Sequence, residues 1–258
     1  MVRWVTVAVL AGMVSAGLGQ QAPAFEVATV KPVDPGPKSG RTLRMEGPNL
    51  FVGRNFTLKL LIAAAYDLNA KEISGGPDWA DSAKFDIEAR TPGEKRPGRP
   101  EQMAMLKALL LERFKLKVHF EPKVMSIYLV TVAPGGAKLK ASVLPADSQP
   151  NTTSTVYPGK IVMPARNASM GDFVAVMQRA ILDHPVVDKT GPTGRYDFDL
   201  EWAPDETQFG GEIPPAEGDA SGPPLFVAMR EQLGLKMEAT KGEVQALVVD
   251  GAVRPTVD

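Results

Sequence analysis

Two stretches of the chain align without a gap at an offset of 112 residues: GPNLFVGRNFTLKLLIAAAY from Gly47 and GKIVMPARNASMGDFVAVMQ from Gly159. Both run turn glycine, short apolar strand, Arg-Asn, a hydroxyl residue two places on, then an apolar helix. KFDIEA from Lys84 matches RYDFDL from Arg195 at an offset of 111, and LKALLLERFKLKVHFEPKVMSIYLV from Leu106 matches LFVAMREQLGLKMEATKGEVQALVV from Leu225 at an offset of 119. Order is kept and the offset changes only through loops. A repeat of this size restricts the fold more than any single motif, since one architecture has to satisfy two sequences. The pattern predicts a tandem duplication of one α+β unit.

Each copy parses in physical terms. Thr42 to Glu46 and Leu50 to Gly53 flank a Gly-Pro-Asn turn and read as a hairpin. Thr57 is a natural N-cap for an apolar helix over 58–68, and Ser169-Met-Gly-Asp172 is a capping box for its counterpart. Phe85, Ile87 and Ala89 alternate with charged residues as in a half-buried strand. Glu101 to Phe114 makes a second helix. Leu116 to Phe120 and Met125 to Val132 then suggest a closing hairpin around Glu121-Pro122-Lys123. The unit is ββαβαββ, with two helices packed on a small mixed sheet in each half. The expected organisation is a first repeat over 25–133 with an N-terminal strand, a linker over 134–152, and a second repeat over 153–258. The loop 203–224, rich in proline and glycine, is long enough to suggest a functional or mobile segment.

The chain opens MVRWVTVAVLAGMVSAGLGQQAPAFE, with Arg3 ahead of an apolar run and then small residues. This predicts a signal peptide over 1–19, cleaved near 16–22, and hence export to the periplasm or beyond the cell. The run is too short to span a bilayer, which takes about 20 apolar residues, and no later segment of the mature chain reads as transmembrane. Lys+Arg total 29 against Asp+Glu 30, with no block of like charge, which excludes nucleic acid as an expected partner. The absence of cysteine excludes disulfides and a thiol nucleophile.

Four constellations bear on chemistry. Asp188-Lys189-Thr190-Gly191 matches the phosphorylated tetrapeptide of cation-pumping ATPases, but no phosphate-binding glycine loop accompanies it. Gly75-Gly76-Pro77 occupies the same place in the first copy, so a turn is the better reading, with Asp188 bonding its own backbone. The histidines, His119 and His184, have no cluster of metal-ligating neighbours. Asp86 with Glu88, and Asp197 with Asp199, share strand faces and could form an acid/base pair in a cleft; flanking basic residues favour a solvated face. Arg54 and Arg166 recur and suggest struts to Asp86 and Asp197. Trp79 and Trp202 read as core residues or as parts of a binding surface, the latter built from the Trp79 loop and the 188–194 loop.

The strings AFEVATVKP, TLKLLIAAAYDL with ISGGPDW and FDIEA, VVDKTGPTGRYDFDLEWAPD, and MREQLGLKMEATKGEVQALVVDGAVRP stand in one order. In these the chain resembles a soil-associated acidobacterial family of uncharacterised secreted proteins, a domain of unknown function, over nearly the whole mature sequence. That family carries Leu after the DKTG glycine where this chain has Pro192. The resemblance implies export, and a sensing or binding role through relatives that carry the region beside a membrane-bound metallopeptidase of the antibiotic-sensor type. In layout each half is also similar to the short N-terminal domain of secretins and TonB-dependent receptors, which binds partners. The reading is therefore a non-catalytic binding or interaction module of the cell envelope, with an unknown protein or small ligand as partner and no cofactor, metal or catalytic residue. Its candidate contact residues are Trp79, Asp188, Lys189, Thr190 and Trp202. The alternatives are an envelope hydrolase using strand-end carboxylates and a passive structural protein.

Overall fold

Apolar residues at every second position make the strands of this chain, and a hydroxyl cap starts a helix after each bulged strand. The computed structural model describes residues 23–33, 40–145, 147–211, 213 and 222–256. The expected leader over 1–19 and much of the 203–224 loop lie outside those residues. In chain order the elements are β1 (Val27–Pro32), β2 (Thr42–Glu46), β3 (Leu50–Thr57), α1 (Leu58–Tyr66), β4 (Ile73–Gly75), β5 (Lys84–Arg90), α2 (Arg99–Arg113) and β6 (Lys117–Val132). There follow β7 (Lys140–Ala141), β8 (Asn151–Thr152), β9 (Thr155–Tyr157), β10 (Lys160–Ala168), α3 (Met170–Val176), β11 (Val186–Asp188), β12 (Tyr196–Trp202), α4 (Leu225–Leu233) and β13 (Leu235–Gly251). The fold is mixed α+β.

Three sheets result. The first has the order β1-β5-β3-β2, all antiparallel. The second has the order β7-β12-β10-β8, with β9 also on β10. Thus the stretch expected as a linker supplies β7 and β8 to the second sheet. The third runs β11-β6-β13-β4, with the short outer strands parallel to their neighbours.

The third sheet corrects one expectation. No hairpin closes either half. β6 is one strand of 16 residues and β13 one of 17. They pair with each other from Leu235 opposite Val132 to Gly251 opposite Lys117, with Val124 opposite Glu243 midway. The physical reason lies in the turn residues. Glu121-Pro122-Lys123 holds no residue suited to positive φ, and Pro122 sits where β6 has a strand on one side alone, an edge position that tolerates proline. In the partner strand, Gly242 serves close approach: a Cβ there would fall 2.4 Å from Ile127 Cδ1.

The long ribbon exchanges strands between two cores. The first core gathers Phe51, Leu61, Ile62, Ile87, Leu106, Leu110 and Phe114, and is completed by Leu247 and Val249 from the far end of β13. The second gathers Ile161, Met163, Phe173, Leu200, Trp202 and Met229, and is completed by Val130 from the far end of β6. Each core is thus sealed by a strand that begins in the other.

The sheets bend at matching points. Asn55 has φ 63° and Asn167 φ 51°, each at a register shift between its strand and the neighbouring one. Asparagine tolerates the left-handed region better than other non-glycine residues, and a bulge frees backbone groups from the ladder. Asp86 Oδ1 takes the Asn55 N–H at 2.8 Å, and Asp197 Oδ1 takes the Asn167 N–H at 2.9 Å. Immediately after each bulge a helix is capped. Thr57 Oγ1 accepts from Leu60 N at 3.3 Å; Ser169 and Asp172 form the capping box, with Asp172 N on Ser169 Oγ at 3.1 Å.

Candidate functional site

The contact residues expected from sequence are placed apart. Asp188 closes β11, and its Oδ1 accepts from Thr190 N at 2.8 Å and Thr190 Oγ1 at 2.7 Å. Lys189 N donates to Val130 O at 2.8 Å, so the tetrapeptide is a turn anchored on the ribbon, with Asp188 and Lys189 exposed and Thr190 buried. Trp79 is half-buried: it stacks on Phe114 at 6.5 Å, meets Phe85 edge-on at 6.1 Å, and lies 5.4 Å from the Arg254 guanidinium. Trp202 is fully buried, its indole N–H on Gln208 Oε1 at 2.7 Å, and offers nothing to a surface.

The Trp79 loop and the 188–194 loop do not form one surface. β4, just before Trp79, flanks β13 at 247–249, while β11 flanks β6 at 128–130. These positions are roughly 30 Å apart along the ribbon at about 3.3 Å per residue, on opposite edges. Strand exchange has sent the two loops to opposite ends.

The strand carboxylates serve structure. Asp86 and Asp197 hold the bulges. The Asn167 N–H and the Ser142 side chain hold the Asp197 carboxyl below the usual range. Arg54 binds Glu88 closely and reaches Asp86 at 3.4 Å; Arg166 binds Asp199 at 2.8 Å and the carbonyls of Ala165 and Phe198. The expected partner of Arg166, Asp197, is replaced by Asp199 on the same strand. The Arg54 guanidinium in turn pulls Glu88 below its ordinary value. Among the described residues no group of His, Asp or Glu could hold a metal ion, and no helix is long and apolar enough to cross a membrane.

What the structure does bring together is a cleft of about 610 Å³ where the end of α1 meets the turn after α3. That turn is a π-helical segment, Met177–Ile181, in which Leu182 N donates to Met177 O at 2.7 Å. Such single π turns recur at functional sites. Here it carries Gln178, Arg179, Ala180 and Ile181 into the cleft wall opposite Leu60, Ala63 and Ala64 of α1. Leu43, Phe56, Leu182 and Phe209 extend the apolar lining; Arg41, Lys71, Arg99 and Asp183 make its polar part.

Polar contacts fix the two walls. Asn69, buried, donates through Nδ2 to Gln178 O at 2.7 Å and Leu182 O at 3.1 Å, satisfying carbonyls the irregular turn frees. Gln178 donates back to Asp67 O and accepts from Val186 N at 3.1 Å. Asp67 Oδ1 receives both Arg99 Nη2 at 2.8 Å and Arg179 Nη1 at 3.2 Å. Burial and the neighbouring Arg99 charge lower Arg179 to about 10, against the pull of Asp67. At the rim Asp183 meets Lys71 Nζ at 3.2 Å and the Tyr128 hydroxyl at 2.9 Å. Burial works to raise Asp183, but the contacts of His184, Tyr128 and Lys71 bring it below its usual value. Burial and the Asp183 carboxylate push Tyr128 up to about 12.

A family model described as a protein of unknown function, DUF3738, matches residues 59–252, most of the chain. The chain belongs to this family. The DUF3738 match runs from α1 to β13 and so takes in both long strands, the π turn, Asp67, Arg99 and Arg179. Arg41, Leu43 and Phe56 of the cleft precede it. No curated protein and no solved structure matches the chain.

Sequence reasoning missed the cleft because its walls come from two distant stretches. One signal was present: Asp67 and Arg179, and Lys71 and Asp183, carry opposite charges 112 residues apart, the spacing at which the stretches from Gly47 and Gly159 align.

Proposed function

We propose that this DUF3738 protein is an exported, non-catalytic binding module of the cell envelope, and that the cleft between α1 and the π turn is its binding site. The observation that carries this is the cleft itself, with an apolar wall, a basic polar edge and a volume of about 610 Å³, in the range of small-ligand sites. Its rigid frame of cross-wall hydrogen bonds suits a preformed site. The signal-peptide pattern at the N-terminus supports export, and with it an extracytoplasmic ligand.

The same reading includes a duplicated α+β unit, with repeats over 25–133 and 153–258. Three observations support it: the matching bulges at Asn55 and Asn167, the matching capped helices, and the ribbon register. At the repeat offset of 119, Val124 and Glu243 are counterparts, and they face each other at the ribbon's middle. An approximate two-fold axis makes a residue pair with its own counterpart, which is the register expected of a duplicated unit, and a cleft near such an axis belongs to both halves, a frequent place for ligand sites.

The test is native mass spectrometry of protein purified from its own envelope fraction. A bound small molecule in the wild type, lost in Ala64→Phe, is expected, since Ala64 lines the cleft on α1 and a phenyl ring there fills it. The same mass on both proteins, or none on either, overturns the cleft assignment. Recovery of the protein solely from the cytoplasm overturns export.

A further inference from the structure

We propose that the cleft takes an amphiphilic carboxylate: one carboxylate held by Arg99 and Arg179, with an apolar body against the α1 and π-turn walls. This rests on the cleft being the binding site.

The charge around the cleft is unbalanced at one place. Lys71 is matched by Asp183 at 3.2 Å. Arg99 and Arg179, in contrast, share a single oxygen of a single carboxylate, Asp67 Oδ1, at 2.8 and 3.2 Å. Two cations contact one anion; Asp172, itself paired with Arg195 at 3.4 Å, acts on Arg179 without contacting it, and the Arg179 side chain is mostly buried, with 21% exposure. Taking such a charge from water is costly unless it is paired. The lowered Arg179 value reports that unrelieved cost, with burial and Arg99 as its causes. Arg99 Nε is also a buried donor without a partner. A guanidinium presents donors as a planar fork suited to the two oxygens of a carboxylate. The edge holding these arginines therefore has donor capacity and positive charge in excess of its contacting carboxylate, and is able to bind a further anion.

The rest of the wall defines the body of the ligand. Leu43, Phe56, Leu60, Ile181 and Phe209 line the same cleft and present hydrocarbon or aromatic surface. An inorganic anion would leave this surface wet and would not use the volume. A neutral hydrocarbon would leave the arginine charge unpaired. A single carboxylate on an apolar chain or ring satisfies both.

The experiment uses the mature protein with three probes in calorimetry: decanoate below its micellar concentration, decanol, and inorganic phosphate. The expected result is one decanoate bound per chain, at least tenfold more tightly than decanol, with no phosphate binding. Arg99→Gln, at the more exposed of the two arginines, should weaken decanoate at least tenfold while leaving decanol unchanged; Arg179→Gln should do the same if it folds. Equal binding of decanoate to wild type and Arg99→Gln, or no decanoate binding, overturns the proposal, and phosphate binding alone identifies an inorganic-anion site instead. The two readings fail differently. If decanoate is inert while Ala64→Phe still loses the ligand carried from the envelope, the chemical class is wrong and the cleft stands. If Ala64→Phe keeps that ligand, the cleft itself is wrong.

Discussion

The two bodies share a frame and differ where they face each other. Each has a strand bulged at a left-handed asparagine, an aspartate on the next strand holding the bulge, and a capped helix after it. Then they part. α1 stops at Asp67, whose φ of 53° turns its N–H back onto Ala63 and Ala64. α3 instead runs on into the π turn that carries Arg179. The turns that follow differ too. Gly75 and Gly76 take φ 74° and 84°, and a Cβ on Gly75 would lie 2.7 Å from Val249 O, whereas Asp188 and Thr190 make their turn with side-chain bonds. Shared features maintain the sheets; the differences collect at the junction, where Asp67 meets Arg179 and Lys71 meets Asp183. These opposite charges give the junction one arrangement and make the cleft asymmetric.

That comparison can be broken most severely through the exchanged strand. Leu247, fully buried in the first core, and Leu235, fully buried in the second, sit on one strand. Each Leu→Ala change should cost about 3 kcal/mol. With Trp4 replaced, Trp79 reports on the first body and Trp202 on the second, so urea unfolding of single-tryptophan variants follows each separately. One shared transition is expected for both variants. A Leu247→Ala protein in which only the Trp79 signal moves would show that the ribbon does not couple the bodies.

The next effect contrasts the tryptophans. Trp202→Phe removes the donor to Gln208, itself 1% exposed, and should cost about 2 kcal/mol for the orphaned acceptor and lost ring. Arg254→Ala, which uncovers Trp79, should cost under about 1 kcal/mol as an exposed cation–π contact. Thermal melts rank the two, and a reversed order would make Trp79 the better anchored.

The two arginine struts come after that. Arg54 and Arg166 are each about two-fifths exposed, and surface ion pairs contribute little, typically under about 1 kcal/mol. Arg166 also holds two backbone carbonyls, so Arg166→Met should lower the melting temperature more than Arg54→Met. An unchanged melt for Arg54→Met removes its role as a strut altogether.

The smallest effect is a matter of pH. Burial pushes the Glu72 carboxyl up, and the Asn69 N–H it accepts draws it only partly back. A folded value above the unfolded one means its contribution is fully present below the unfolded value and lost as pH rises through the folded one. Near neutrality Glu72 is therefore a net cost. Glu72→Gln keeps an acceptor for Asn69 and should raise stability slightly at pH 7, a gain that vanishes below pH 4.5. Glu88 and Asp183 have the opposite sign: their lowered values support the fold above the ordinary carboxylate range and cease to as pH falls. A Glu72→Gln gain that persists at pH 3 would mean its origin is not the charge.

Much of this frame was readable from residues alone. Thr57 and Ser169 announce their helices, Phe85-Ile87-Ala89 its strand, and Asp188 its turn, because each is a local matter of spacing and side-chain reach. The ribbon was not readable. Local rules ask whether Glu121-Pro122-Lys123 can turn; they do not say that Val244, Gln245 and Ala246, far along the chain, are available to pair with it instead. The recurring Arg-Asn was visible, but its use at a bulge depends on an aspartate from another strand. The cleft was hidden for the same reason, with Asp67 and Arg179 meaningful only once the halves meet.

The ribbon also fixes an order of events. Ile73 pairs with Leu247, and the first core stays open on that side until β13 arrives, almost at the end of the chain. Contacts so distant in sequence close late and slowly. The N-terminal half therefore waits, unfinished, for β13 to be made; whatever meets this protein during its synthesis handles a chain that cannot lock prematurely.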